Sequence, residues 1–140
     1  MEATRCGAPH LSVRPEDKTI MGGFKVNIGE INIICTDAAR SLAFYRDVLG
    51  FSVEGEEEGC WHLSCDDTFF LLLPFAAPRP EVPAYCSEPA YSIDIVVSDL
   101  EAAMKHFESS KVMIMDDPAP SDQRFFIRDP DGLPIEVVRT

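Results

Sequence analysis

Basic residues are scarce in this chain of 140: twelve Lys and Arg face twenty-four Asp and Glu, giving a formal charge of −12. That balance argues against nucleic acid as a partner, because phosphate binding needs clustered cations and these twelve are scattered. No apolar run approaches the roughly 20 residues that span a bilayer, and residues 1–20 lack the uninterrupted apolar stretch of a secretory leader. A cytoplasmic protein without a membrane partner is expected. The five cysteines form no CxxC and no finger spacing, which excludes a disulfide scaffold or a zinc finger and predicts reduced thiols. What remains is ordinary for a globular domain, with 46% apolar and 26% charged residues. The length suffices to bury roughly two thirds of the unfolded surface.

One pattern is written twice. The first copy reads Glu30-Ile31-Asn32-Ile33-Ile34-Cys35-Thr36-Asp37 and leads into Phe44-Tyr45-Arg46-Asp47-Val48-Leu49-Gly50-Phe51. The second reads Ser92-Ile93-Asp94-Ile95-Val96-Val97-Ser98-Asp99 and leads into a helical stretch with Met104 and Phe107. A repeat of this length signals two copies of one supersecondary unit, each with a face that it cannot bury alone. The surface between the copies is therefore where function is expected.

Period and punctuation give the elements. Alternation from Lys25 to Cys35 predicts a strand, Asp37 a helix N-cap, and Gly50 the helix end. A strand beginning at Phe51-Ser52-Val53, an acidic turn at residues 54–59, and strands at 61–65 and 68–73 complete a βαβββ unit. Residues 74–90 carry Pro74, Pro78, Pro80, Pro83 and Pro89 and predict a stiff connection. Strand 91–97, a helix capped by Asp99 and running to about Ser110, and strands 112–115, 124–128 and 134–138 repeat the unit. Residues 1–25 are expected to be a tail or an edge extension. Residues 26–140 form one domain, with units at about 26–73 and 91–139. Asp131-Gly132 suits a tight turn, approached through Pro130.

These motifs, Phe44-Tyr45 with Val48-Leu49-Gly50-Phe51 in one half and Asp129-Pro130-Asp131-Gly132 with Ile135-Glu136-Val137 in the other, resemble the vicinal oxygen chelate superfamily. That group contains glyoxalase I, extradiol dioxygenases, fosfomycin-resistance enzymes and bleomycin-binding proteins. The resemblance implies an α+β fold in which two βαβββ repeats form a cupped mixed sheet around a central cavity, with helices on the convex side. It also implies a homodimer, with swapped or unswapped pairing of units left open.

In the family's metal-dependent members, each unit offers one ligand from its first strand and one from its last. Carried over residue by residue, those positions hold Glu30 and Ser92 where His is usual, Leu71 where Glu is usual, and Glu136, the expected acid. The set is poor for zinc, nickel or iron, which favour imidazole and need three good donors. No metal is therefore expected, and if one is present it is Mg²⁺ or Mn²⁺ rather than Zn²⁺, held by Glu30 and Glu136 with water. Strand parity places Asn32 with Glu30, and Asp94 with Ser92. Carboxylates crowded on one concave surface would attract a cation. Trp61, Phe69, Tyr91 and Phe126 are candidate aromatic walls, each also a natural core residue. His10, His62 and His106 match no family ligand position; His62, on a strand, reads first as a hydrogen-bonded histidine and second as a ligand or base.

The expected function is capture of a cationic or amine-bearing small molecule, with Glu30, Asn32, Trp61, Ser92, Asp94, Phe126 and Glu136 as ligand-binding residues. The alternative is a metal-dependent lyase, isomerase or dioxygenase with an oxygen-rich site. The bland reading makes Glu30 and Glu136 solvated strand residues.

Overall fold

The computed structural model describes residues 19–21, 23–117 and 119–140, the first three as backbone only. Cys6, His10 and most of the expected tail lie outside them. Two short strands, β1 (Thr19–Met21) and β2 (Phe24–Val26), pair antiparallel around Gly23, whose φ of 85° suits a tight reversal. The long strand expected from Lys25 is thus broken, and β3 covers only Glu30–Ile34.

Asp37 caps the first helix, α1 (Ala38–Leu42), by accepting the Arg40 N–H at 2.9 Å. Its continuation through Val48 is a wider turn, with the Leu49 N–H reaching back to the Phe44 carbonyl, until Gly50 at φ 80° ends it. Then come β4 (Ser52–Glu57), β5 (Cys60–Cys65) and β6 (Thr68–Leu73), giving the sheet order β3-β6-β5-β4 with β3 and β6 parallel. The acidic run expected as a turn lies mostly in β4. Its carboxylates are tolerable there because β4 is an edge strand, and only Glu58 and Gly59, both at positive φ, turn the chain.

The second unit repeats this order as β7 (Ile93–Val97), α2 (Leu100–Ser109), β8 (Met113–Met115), β9 (Arg124–Arg128) and β10 (Pro134–Arg139). Asp99 caps α2 through the Ala102 N–H at 3.0 Å, and the sheet order is β7-β10-β9-β8. The result is an α+β fold of two four-stranded mixed sheets that remain open. Ile33, Leu63, Phe70 and Leu72 of one sheet and Phe125, Ile127, Ile135 and Val137 of the other form one core with Leu42, Tyr45, Phe51 and Phe107. Each such side chain contributes about 1.5–3 kcal/mol by leaving water.

The two signature motifs meet at the junction of the units. Tyr45 of the helical segment donates to Asp129 Oδ2 at 2.8 Å, and Asp129 Oδ1 accepts the N–H groups of Asp131 and Leu133, each at 2.9 Å. Asp131 in turn accepts from the Thr36 N–H and hydroxyl and from Arg40. The Asp-Pro-Asp-Gly turn is thus tied to the first unit, which gives both motifs a folding role. Burial pushes the Asp129 carboxyl above its usual range, against the lowering effect of its hydrogen bonds, and pushes the Tyr45 hydroxyl up as well. Cys35, Cys65 and Cys86 are free thiols, as expected, whereas Cys60 is disulfide-bonded, contrary to the expectation of uniformly reduced thiols.

Candidate functional site

Register decides which side chains share the face away from the helices. In the first sheet Glu30 pairs with Phe69, and Asn32 pairs with Leu71, which pairs with His62, so these five share a face. In the second, Glu136 lies between Asp94 and Phe126, and Arg124 and Arg128 share the face of Phe126. Of the candidate residues, then, Glu30 and Asn32 stand on one sheet, and Asp94, Phe126 and Glu136 form a row across the other, with Ser92 just ahead of β7. Trp61 is different. It pairs with Leu72 and packs against the helix-side core, away from the face that carries His62.

Glu30 sits beside a residue that the sequence pattern did not tie to it. His62 Nδ1 is 3.4 Å from Glu30 Oε1, with side chains only 7% and 9% exposed. Among the described residues neither imidazole nitrogen has a hydrogen-bond partner. Leaving such a group unpaired costs about 1–3 kcal/mol, which is why buried orphans recur at functional positions.

On the second sheet the acid is already engaged. Glu136 Oε1 lies 3.4 Å from Arg124 Nη1, and Arg124 is also held by Asp117 at 3.1 Å. The same guanidinium lies 5.2 Å from the Phe126 ring centroid. From the connection, Tyr85 packs on Phe126 at 4.7 Å. Phe126 is consequently 1% exposed, a covered ring rather than an open wall. The Tyr85 hydroxyl lies near Cys86, Glu136 and Ser92, and burial raises its pKa first of all.

The family's metal positions do not assemble a metal site here. Leu71 offers no donor, and Glu136 is shared with a guanidinium. No group of three or more His, Cys, Asp and Glu able to hold an ion forms among the described residues. Glu30 and His62 supply two donors, one short of the usual minimum.

Arg124, Arg128 and Tyr85 are the residues on these faces that sequence reasoning missed, and His62, weighed there second as a ligand or base, was not tied to Glu30. For the two arginines a signal existed, since alternation along 124–128 puts both on the face of Phe126. For His62 and Tyr85 no local pattern gives the register of β5 or the path of the connection.

Paired βαβββ units and a Tyr-anchored Asp-Pro-Asp-Gly turn that ties one unit to the other define the class of fold. The protein belongs to the Glyoxalase/Bleomycin resistance protein/Dioxygenase superfamily, whose profile matches residues 27–137. The chain is 36% identical over 124 residues to the uncharacterized protein YaeR of Escherichia coli, covering 79% of this chain and 93% of that one. Its fold is similar to that of lactoylglutathione lyase from Agrobacterium tumefaciens, with a TM-score of 0.60 and 22% identity, covering 81% of this chain and 92% of that one. It is also similar to the fosfomycin resistance protein FosX from Listeria monocytogenes, with a TM-score of 0.65 and 9% identity, covering 82% and 93% of the two chains. No helix among the described residues is long and apolar enough to cross a membrane.

Proposed function

We propose that the protein captures a cationic or amine-bearing small molecule, using Glu30, Asp94 and Glu136 as carboxylates with Asn32 and Ser92 beside them. The observation that carries the reading is the donor set. Two of the four family ligand positions hold Leu71 and Ser92, and the one usual acid, Glu136, is held by Arg124. The acidic excess of the chain favours cations at long range. Phe126 acts as a rigid floor under Tyr85, and Trp61 supports β5 from behind.

A homodimer in the cytoplasm belongs to the same proposal. β3 and β7 are both edge strands, and Ile34 and Val96, at equivalent positions on them, are 59% and 61% exposed. A second copy covering these edges would remove an aggregation liability. A monomer mass by light scattering across the micromolar range would refute this part.

An enzyme reading is favoured by one observation, the buried Glu30 and His62 pair with its unbonded ring nitrogens. A carboxylate beside an imidazole is a proton-accepting arrangement suited to a lyase or isomerase. A divalent ion is consistent with membership of the family, and Mg²⁺ or Mn²⁺ at Glu30 and Glu136 is the form that oxygen donors favour. Metal analysis of protein purified without chelator separates the readings. Ligand capture predicts no stoichiometric ion, whereas metal that disappears in Glu30→Gln and Glu136→Gln supports the enzyme.

A further inference from the structure

We propose that the cavity between the two units and their connection is an oxyanion-binding subsite built on Arg128. This goes beyond the amine-capture reading and stands without it. The cavity measures about 360 Å³, and its lining includes Asn32, Thr36, Arg79, Tyr85, Arg128 and Asp131. That volume suits a small metabolite.

Arg128 is fixed from both walls by neutral groups. Its Nη1 donates to the Gly132 carbonyl at 2.6 Å and its Nη2 to the Pro83 carbonyl at 3.3 Å. Carbonyls orient a guanidinium but cancel none of its charge, and two bonds leave several of its five N–H donors unused. The acids lining the cavity are committed elsewhere. Asp131 accepts from Thr36 through both oxygens and pairs with Arg40 at 2.8 Å, while Glu88 lies 3.6 Å from Arg79. Among the described residues no ion pair joins Arg128 to a carboxylate. A half-buried, immobilised and uncompensated guanidinium is the arrangement that recognises a planar carboxylate or a phosphoryl group through paired, charge-assisted bonds. The exposed amide of Asn32 is placed on the same lining to add a donor. Because the surrounding protein is strongly acidic, the subsite favours small mono- or dianions over polyanions.

The test uses the ¹⁵N-labelled protein and follows its arginine Nε–Hε signals during additions of sodium phosphate or sodium acetate at constant ionic strength. A saturable shift at Arg128, with Arg46 unmoved because Asp47 already holds it on an exposed helix face, is the expected result. Saturation by phosphate alone assigns a phosphoryl-bearing ligand, and saturation by acetate alone a carboxylate. Arg128→Gln should weaken the saturable binding at least about tenfold, and Arg128→Lys should retain part of it. Because the wild-type titration stands alone, a misfolded variant does not spoil the test. Linear shifts with both anions, or a folded Arg128→Gln that binds as the wild type does, overturn the proposal.

Discussion

Replacing Tyr45 with Phe isolates the bond that joins the two signature motifs. The ring stays in place, so no cavity opens, and the only loss is the hydroxyl that donates to Asp129 Oδ2 at 2.8 Å. Both residues are buried, at 2% and 4% exposure, so water cannot replace the missing donor. A hydrogen bond to a charged acceptor contributes about 1.5–3 kcal/mol, and a stranded acceptor keeps the loss at the upper part of that range. For a domain of this size the melting temperature should fall by about 5–12 °C. Urea unfolding should show the lower midpoint with an unchanged slope, since the surface exposed on unfolding is the same. Asp129→Asn and the double variant complete a cycle whose coupling energy isolates the pair. If Tyr45→Phe lies within about 0.5 kcal/mol of the wild type, the range of an ordinary surface substitution, apolar packing alone holds the units together and the reasoning fails.

Gly132→Ala should cost about 1–2 kcal/mol in urea, from its φ of 86°, with a further penalty because the new Cβ would meet Val82 Cγ2 at 2.7 Å. A variant as stable as the wild type would show that the turn accommodates a side chain. Because burial holds the Asp129 pKa above its unfolded value, this group's contribution to stability is full below about pH 4 and is lost as pH rises through the folded pKa. Asp129→Asn should therefore flatten the pH dependence of the urea midpoint above pH 4, and parallel curves for the two proteins would contradict this.

The fold was legible where chemistry is local. Asp37 and Asp99 announce both helices because a short acidic side chain can satisfy first-turn N–H groups, and both make that bond in the structure. The Asp131-Gly132 turn was likewise readable, and Gly132 has the positive φ it requires. What sequence could not supply was register. A slip of one residue turns a strand over, which is why Trp61, next to His62, was assigned to the cavity and lies on the core side. The acidic run 54–59 looked like a turn because carboxylates disfavour central strands, and an edge position lifts that objection. The aperiodic connection gave no sign that Tyr85 would cover Phe126. The basic residues read as scattered, and nothing in the sequence placed Arg124 beside Glu136.

The central claim is that carboxylates on these two sheets select a positively charged ligand, and calorimetry on three Gln variants tests it most directly. The ligand is the amine-bearing compound giving the largest thermal shift, since whatever binds only the folded state must stabilise it. Glu30→Gln and Glu136→Gln should each weaken binding by about 1.5–3 kcal/mol. Glu57→Gln, exposed on the edge strand β4, should change little, because surface charge is screened over about 8–10 Å at physiological salt. Equal losses in all three variants, or none at Glu30 and Glu136, would contradict the account.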